Sequence, residues 1–163
     1  MKKTTIGITG HRDMVVTEEI KEKLINFFTT LKEQNQEIEL LSPLADGADR
    51  LVADIYLDIF QDRANLIVPM PFNQERYMQD FDIHSKEEFL KYLNIAKSVF
   101  QVDKKDECNY KSVGIYVADN SNLLIALWDG GYNQKSGGTG DIVSYAKEKD
   151  IDIFHILVER KAL

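Results

Sequence analysis

The sequence predicts an α/β protein, a Rossmann-like three-layer αβα sandwich built on a mostly parallel sheet. Three observations carry that expectation. Short apolar runs alternate with stretches of helical spacing along the whole length. The run Leu123–Trp128 is apolar on both faces, as a strand in the middle of a parallel sheet must be. Polar and glycine-bearing loops follow the apolar runs, where open α/β sheets place their ligands. The chain has 163 residues, with no repeat, low-complexity stretch or linker to divide it, so a single domain over 1–163 is expected.

Each element has its own signal. Residues 4–9 read as a buried strand, with 10–13 as the loop after it. Thr17 is a good N-cap, and Glu18 and Glu19 stand where carboxylates suit the helix dipole. Ile20, Leu24, Phe27, Phe28 and Leu31 then recur at helical spacing, up to the polar stretch around Asn35. Residues 38–41 form the second strand, and a helix on Leu51, Ile55 and Ile59 follows. Residues 66–68 are a third strand, closed by Pro69 and Pro71, and a long polar and aromatic loop runs on to about Ser85. Ser85 is read as the cap of a helix carrying Phe89, Leu90, Leu93 and Ala96 on one side. A short strand at 98–102 and a helix at 110–119 lead to the central run. A loop at 129–140, a helix through Ala146 and a closing strand at 151–157 complete the order.

Composition narrows the function classes. Hydrophobic residues make up 44% and charged residues 29%, enough for a packed core. The formal net charge of −7 disfavours a broad surface that tracks nucleic-acid phosphates, which needs a basic face. A small anionic ligand stays open, because one pocket can be positive on an acidic protein. Cys108 is the only cysteine, read as an ordinary thiol near a turn, so no intramolecular disulfide is expected. His11, His84 and His155 have no metal-ligand spacing, and His155 is read as a satisfied core residue. No metal or cofactor is expected. No apolar stretch of signal-peptide or membrane-span length is present, so a cytoplasmic protein without membrane contact is expected.

Four unusual segments each follow an expected strand, which would bring them to one edge of the sheet. In the first, Gly10 allows a sharp turn and a close ligand approach, Arg12 offers a planar fork for phosphate or carboxylate, and His11 is either a donor and acid–base group or a packed side chain. In the second, Gly47 opens a helix whose free N–H groups suit an anion. Asp46 there is an N-cap, a partner of Arg50 or Arg12, or, like Asp49, a contact to a ribose hydroxyl. In the third, Pro71, Tyr77, Asp80 and Phe81 either flank a base or pin the loop to the protein. The fourth carries five of the nine glycines, between positions 130 and 140, ending in Gly137, Gly138, Thr139, Gly140 and Asp141. A glycine-rich loop opening a helix cradles phosphate with backbone amides. Neither the dinucleotide fingerprint nor the Walker loop is present.

Together these loops resemble the SLOG superfamily, Rossmann-like domains that include the LOG phosphoribohydrolases and DprA. Gly10-His11-Arg12 is similar to the Gly-x-Arg after the first strand of DprA-type domains. Residues 42–49 are similar to their Ser-Gly-Leu-Ala-x-Gly-x-Asp segment, with Pro43 replacing the first glycine. Gly137-Gly138-Thr139-Gly140 matches the start of the LOG motif Gly-Gly-x-Gly-Thr-x-x-Glu. The resemblance implies binding of nucleotides, sugar-nucleotide signals or single-stranded DNA, a setting in bacterial signalling or defence, and a homodimer, for which the helix at 85–96 is a candidate interface. In LOG members an Arg and a Glu cleave the N-glycosidic bond of nucleoside monophosphates. Here Asp141 stands where LOG has Thr, and Ser144 where it has the Glu. Loss of the carboxylate that would stabilise an oxocarbenium-like charge argues against LOG hydrolysis at that position. Asp46, Asp80 or Asp141 could substitute. The leading expectation is therefore a binder of a nucleotide or nucleotide-derived small molecule, with an N-glycosidase as the alternative and DprA-like DNA binding behind both.

Overall fold

The computed structural model describes residues 3–132 and 135–162. Six strands form one all-parallel sheet in the order β4-β3-β2-β1-β5-β6. The strands are β1 (Lys3–Gly10), β2 (Glu37–Leu41), β3 (Asn65–Met70), β4 (Ser98–Gln101), β5 (Leu123–Trp128) and β6 (Asp152–Leu157). The helices are α1 (Glu18–Glu33), α2 (Ala48–Phe60), α3 (Gln74–Met78), α4 (Ile83–Ile95), α5 (Asn109–Asp119) and α6 (Thr139–Glu148). The chain winds outward from β1 to β4, then returns across the sheet to β5. The strand order therefore reverses between β1 and β5, whose ends pair in register at Gly10 and Leu127. Such a switch point opens a crevice at the carboxyl ends of the two strands.

The pleat sends alternate side chains to opposite faces. Ile6, Ile8, Leu40, Val68, Ile125 and Leu127 join one core with α1, α2 and α4. Leu41 and Leu124 face α5 and α6 on the other side. Both faces of the sheet are thus covered, giving the three layers expected.

Several local readings change. α4 begins at Ile83, and its cap is Asp82, whose Oδ1 accepts from the Ser85 N–H at 2.8 Å. Ser85 lies one turn inside, buried, with its Oγ donating to Asp46 Oδ1 at 2.5 Å. The stretch read as one long loop contains α3, capped by Asn73, whose side chain accepts from the Arg76 N–H at 2.9 Å. His155 is exposed rather than core, because β6 is an edge strand; its ring lies 5.1 Å from that of Trp128. Among the described residues, no helix is long and apolar enough to cross a membrane.

Candidate functional site

A cleft of about 610 Å³ opens at this switch point. Its floor is the end of β1. Gly10 is there for packing rather than for a turn: an added Cβ would stand 2.4 Å from that of Ala48, so only glycine lets α2 start against β1. Gly47, at φ +84°, has the same logic, since a Cβ would meet the Arg12 carbonyl oxygen at 2.3 Å. The loop between is stitched on both sides. His11 N–H donates to Leu127 O at 3.2 Å, and His11 O accepts from Ala48 N–H at 3.1 Å.

The His11 ring is buried, with Nε2 3.2 Å from both the Asp129 N–H and Asp129 Oδ1. A neutral ring accepts from the amide, and a protonated ring faces the carboxylate. Asp129 is held below the usual carboxylate range, first by the N–H of Gly131 at 2.9 Å and then by His11. Arg12 is exposed to the cleft. Its guanidinium stands 5.9 Å from the centre of the Tyr110 ring, and no residue among those described pairs with it or accepts a hydrogen bond from it.

The glycine-rich loop forms the facing wall. α6 starts at Thr139 with Gly138 at its N-cap and no side-chain cap. The first intrahelical donor is Ile142 N–H, to Gly138 O, and among the described residues no group accepts from the N–H groups of Thr139, Gly140 and Asp141, with the Thr139 hydroxyl beside them. Asp141 holds the loop instead of facing the cleft: its carboxylate accepts from Gly137 N–H at 2.9 Å and pairs with Lys111 at 3.4 Å.

The second segment divides. Asp49 lines the cleft although it is only 6% exposed. One oxygen accepts from Ala45 N–H at 3.1 Å, and burial pushes its carboxyl up to about 7, against the backbone bond and the charges of Arg12 and Arg50. Asp46 and Arg50 point away from the cleft. Arg50 Nε donates to Leu44 O at 3.0 Å, Nη1 reaches Ser85 O, Glu88 and Asp46, and the guanidinium lies 4.6 Å from the centre of the Phe81 ring. This group joins α2 to α4. Asp46 is therefore neither helix cap nor cleft carboxylate, and Arg50, Gly47 and Phe81 belong to packing.

In the third segment, Pro71, Tyr77 and Asp80 line the cleft. Tyr77 is buried against Phe81 and Phe89, with its OH donating to Pro43 O at 2.9 Å, so it supports the wall and offers no free face for a base. Asp80 accepts from Tyr110 OH at 2.6 Å and from Arg76 at 3.1 Å. Of the three carboxylates named as possible catalytic groups, Asp80 alone faces the cleft.

Sequence reasoning missed the aromatic groups that do face it, Tyr110 on α5 and Tyr132 after β5, as well as Asp129. It also missed the brace at the mouth. Segment 159–161 runs against 13–15: Val15 N–H donates to Glu159 O, Lys161 N–H to Asp13 O, and Arg160 Nε to both Asp13 carboxylate oxygens. The exit of β6 lies on the same edge as the other loops, and that topology is the signal that could have found Arg160.

The arrangement defines a class: an open α/β sheet with a cleft at its switch point, lined by backbone amides, arginines and carboxylates. No family model matches the chain, and no curated protein matches it in sequence. Two solved structures share the fold. DNA processing protein A from Helicobacter pylori, which binds single-stranded DNA, is 16% identical with a TM-score of 0.58, over 93% of this chain and 64% of that one. TM1055, a structural-genomics target, is 12% identical with a TM-score of 0.55, over 94% of this chain and 72% of that one. The chain thus spans less than two thirds of the first of these, and at such identities the likeness is one of fold.

Proposed function

We propose that the cleft binds a nucleotide or nucleotide-derived small molecule, with phosphate held between Arg12 and the first turn of α6. The observation that carries this reading is that the Arg12 guanidinium and the N–H groups of Thr139, Gly140 and Asp141 share one cleft and have no hydrogen-bond partner among the described residues. A cation and a helix N-terminus converging on one space favour an anion. Tyr110 and Tyr132 replace Tyr77 and Phe81 as the rings placed to flank a base. The resemblance to SLOG domains supports the same ligand class. DNA binding of the kind the first neighbour performs is disfavoured by the net charge of −7.

The test is incubation with nucleoside monophosphates, NAD, ADP-ribose and cyclic nucleotides, with retained ligand and released products followed by mass spectrometry. An intact nucleotide is expected to stay with the protein. Arg12→Ala is expected to weaken it by roughly 10- to 100-fold, the worth of one charge-assisted hydrogen bond. Free base appearing in proportion to protein would replace this reading with an N-glycosidase, and Asp80 would be the carboxylate to examine. No retention across the panel would end the nucleotide reading.

A further inference from the structure

Asp49 has a carboxyl group with one committed oxygen and one open one. Oδ2 takes the Ala45 N–H, and no group among the described residues donates to Oδ1, although the side chain is more than nine-tenths buried and lines the cleft. A buried charge without a full set of donors is costly, and the neutral acid is the cheaper form. The groups acting on it are Arg12 on the first loop, Arg50 on its own helix and Tyr77 on α3; His11, Asp13, Asp80, Tyr110, Asp129, Lys135 and Arg160 also line the cleft. Both arginines favour the ionised carboxyl; Arg50 is held by Glu88 and Asp46, and Arg12 is the one of the two exposed to the cleft.

We infer that anion capture in this cleft takes up a proton onto Asp49, whose open oxygen then donates to the bound anion. This rests on the reading that Arg12 receives an anion. An oxyanion on Arg12 both neutralises a cation that favours ionised Asp49 and adds negative charge beside it. Both effects push the carboxyl toward its neutral form. Protonated Oδ1 is then a donor on a residue that lines the cleft, and the ionised form is a like charge that repels the ligand. The proton is part of the recognition, so the site binds a phosphate-class anion more tightly as pH falls from 8 to 6.

Inorganic sulfate is the probe, because it gains no proton between pH 6 and pH 8, unlike a phosphate monoester. Its affinity for the intact chain is measured by calorimetry across that range, in two buffers of different ionisation enthalpy. The expected results are a gain of at least about fivefold from pH 8 to pH 6 and net uptake of on the order of half a proton near pH 7.5. Asp49→Asn carries a neutral donor at the same place. It is expected to bind sulfate at pH 8 more tightly than the native chain and to lose the pH dependence. His11→Gln separates the other titratable group, and it is expected to keep the dependence. A dependence that survives in Asp49→Asn and vanishes in His11→Gln overturns the assignment, as does a flat native profile with sulfate bound; the anion reading survives both. Absence of sulfate binding at every pH, in native and variant chains alike, overturns the anion reading and this inference with it.

Discussion

Asp49 shows how a single side chain ties stability to pH. Its carboxyl sits at about 7 in the folded chain, raised by burial, against an ordinary value of roughly 3.9 when unfolded. The folded state then holds the proton over a window in which the unfolded state has lost it. Its stabilising contribution is fully present below about pH 4 and is lost as pH rises toward 7, at up to ~1.4 kcal/mol per unit. Asp49→Asn removes that slope while keeping an acceptor for Ala45 N–H. Denaturant titrations at pH 4.5 to 7.5 should therefore show the native chain losing stability relative to the variant as pH rises. A constant difference across the window would mean that Asp49 is ionised and well solvated. The residue scale is also where sequence reading was weakest. Arg12 and Arg50 look alike in sequence, each following a glycine loop. Only α4, arriving with Ser85 and Glu88, shows that Arg50 is turned under and consumed. Tyr110 and Arg160 were invisible for a related reason: they reach the cleft from elements remote in the chain.

At the scale of elements, strands were legible and short helices were not. The strands stand where apolar runs stood, most plainly β3 and β5, because a strand buried on both faces has few polar positions to blur it. α3 has only five residues, too few to display a helical period. The start of α4 was displaced because Asp82 and Ser85 are both good caps, and the choice fell to tertiary contacts. Ser85 is needed by Asp46, which leaves the capping to Asp82. Asp82→Ala should therefore cost about 1 kcal/mol in chemical denaturation. A loss of under a few tenths would indicate that the packing of Phe89 and Tyr92 alone holds the first turn.

For the molecule as a whole, the two helical layers share one sheet, so neither has a core without the other. Leu124 of β5 serves the α5–α6 side, and Ile8 of the adjoining β1 serves the α1–α2 side. We expect a single unfolding transition for residues 1–163 as one domain, with Trp128 fluorescence and far-ultraviolet circular dichroism coinciding. Trp128 is the sole tryptophan and sits at the cleft end of β5, against Tyr132, so its emission reports on the site while dichroism reports on the layers. Two separated transitions would divide the chain. The architecture was readable in advance because strand and helix signals alternate with few breaks. The occupant of the cleft was not, since amides and guanidinium groups favour anions in general without saying what carries the charge.

The brace between Asp13 and Arg160 has a consequence for the order in which this protein is made. Arg12 emerges from the ribosome well before the segment that clamps its loop, which is more than a hundred residues behind. β5, which forms the other side of the switch point, is late as well. A nascent chain can therefore assemble β1 to β4 with their helices while still lacking a finished cleft. The braced form of the cleft becomes available only after Arg160 has been made.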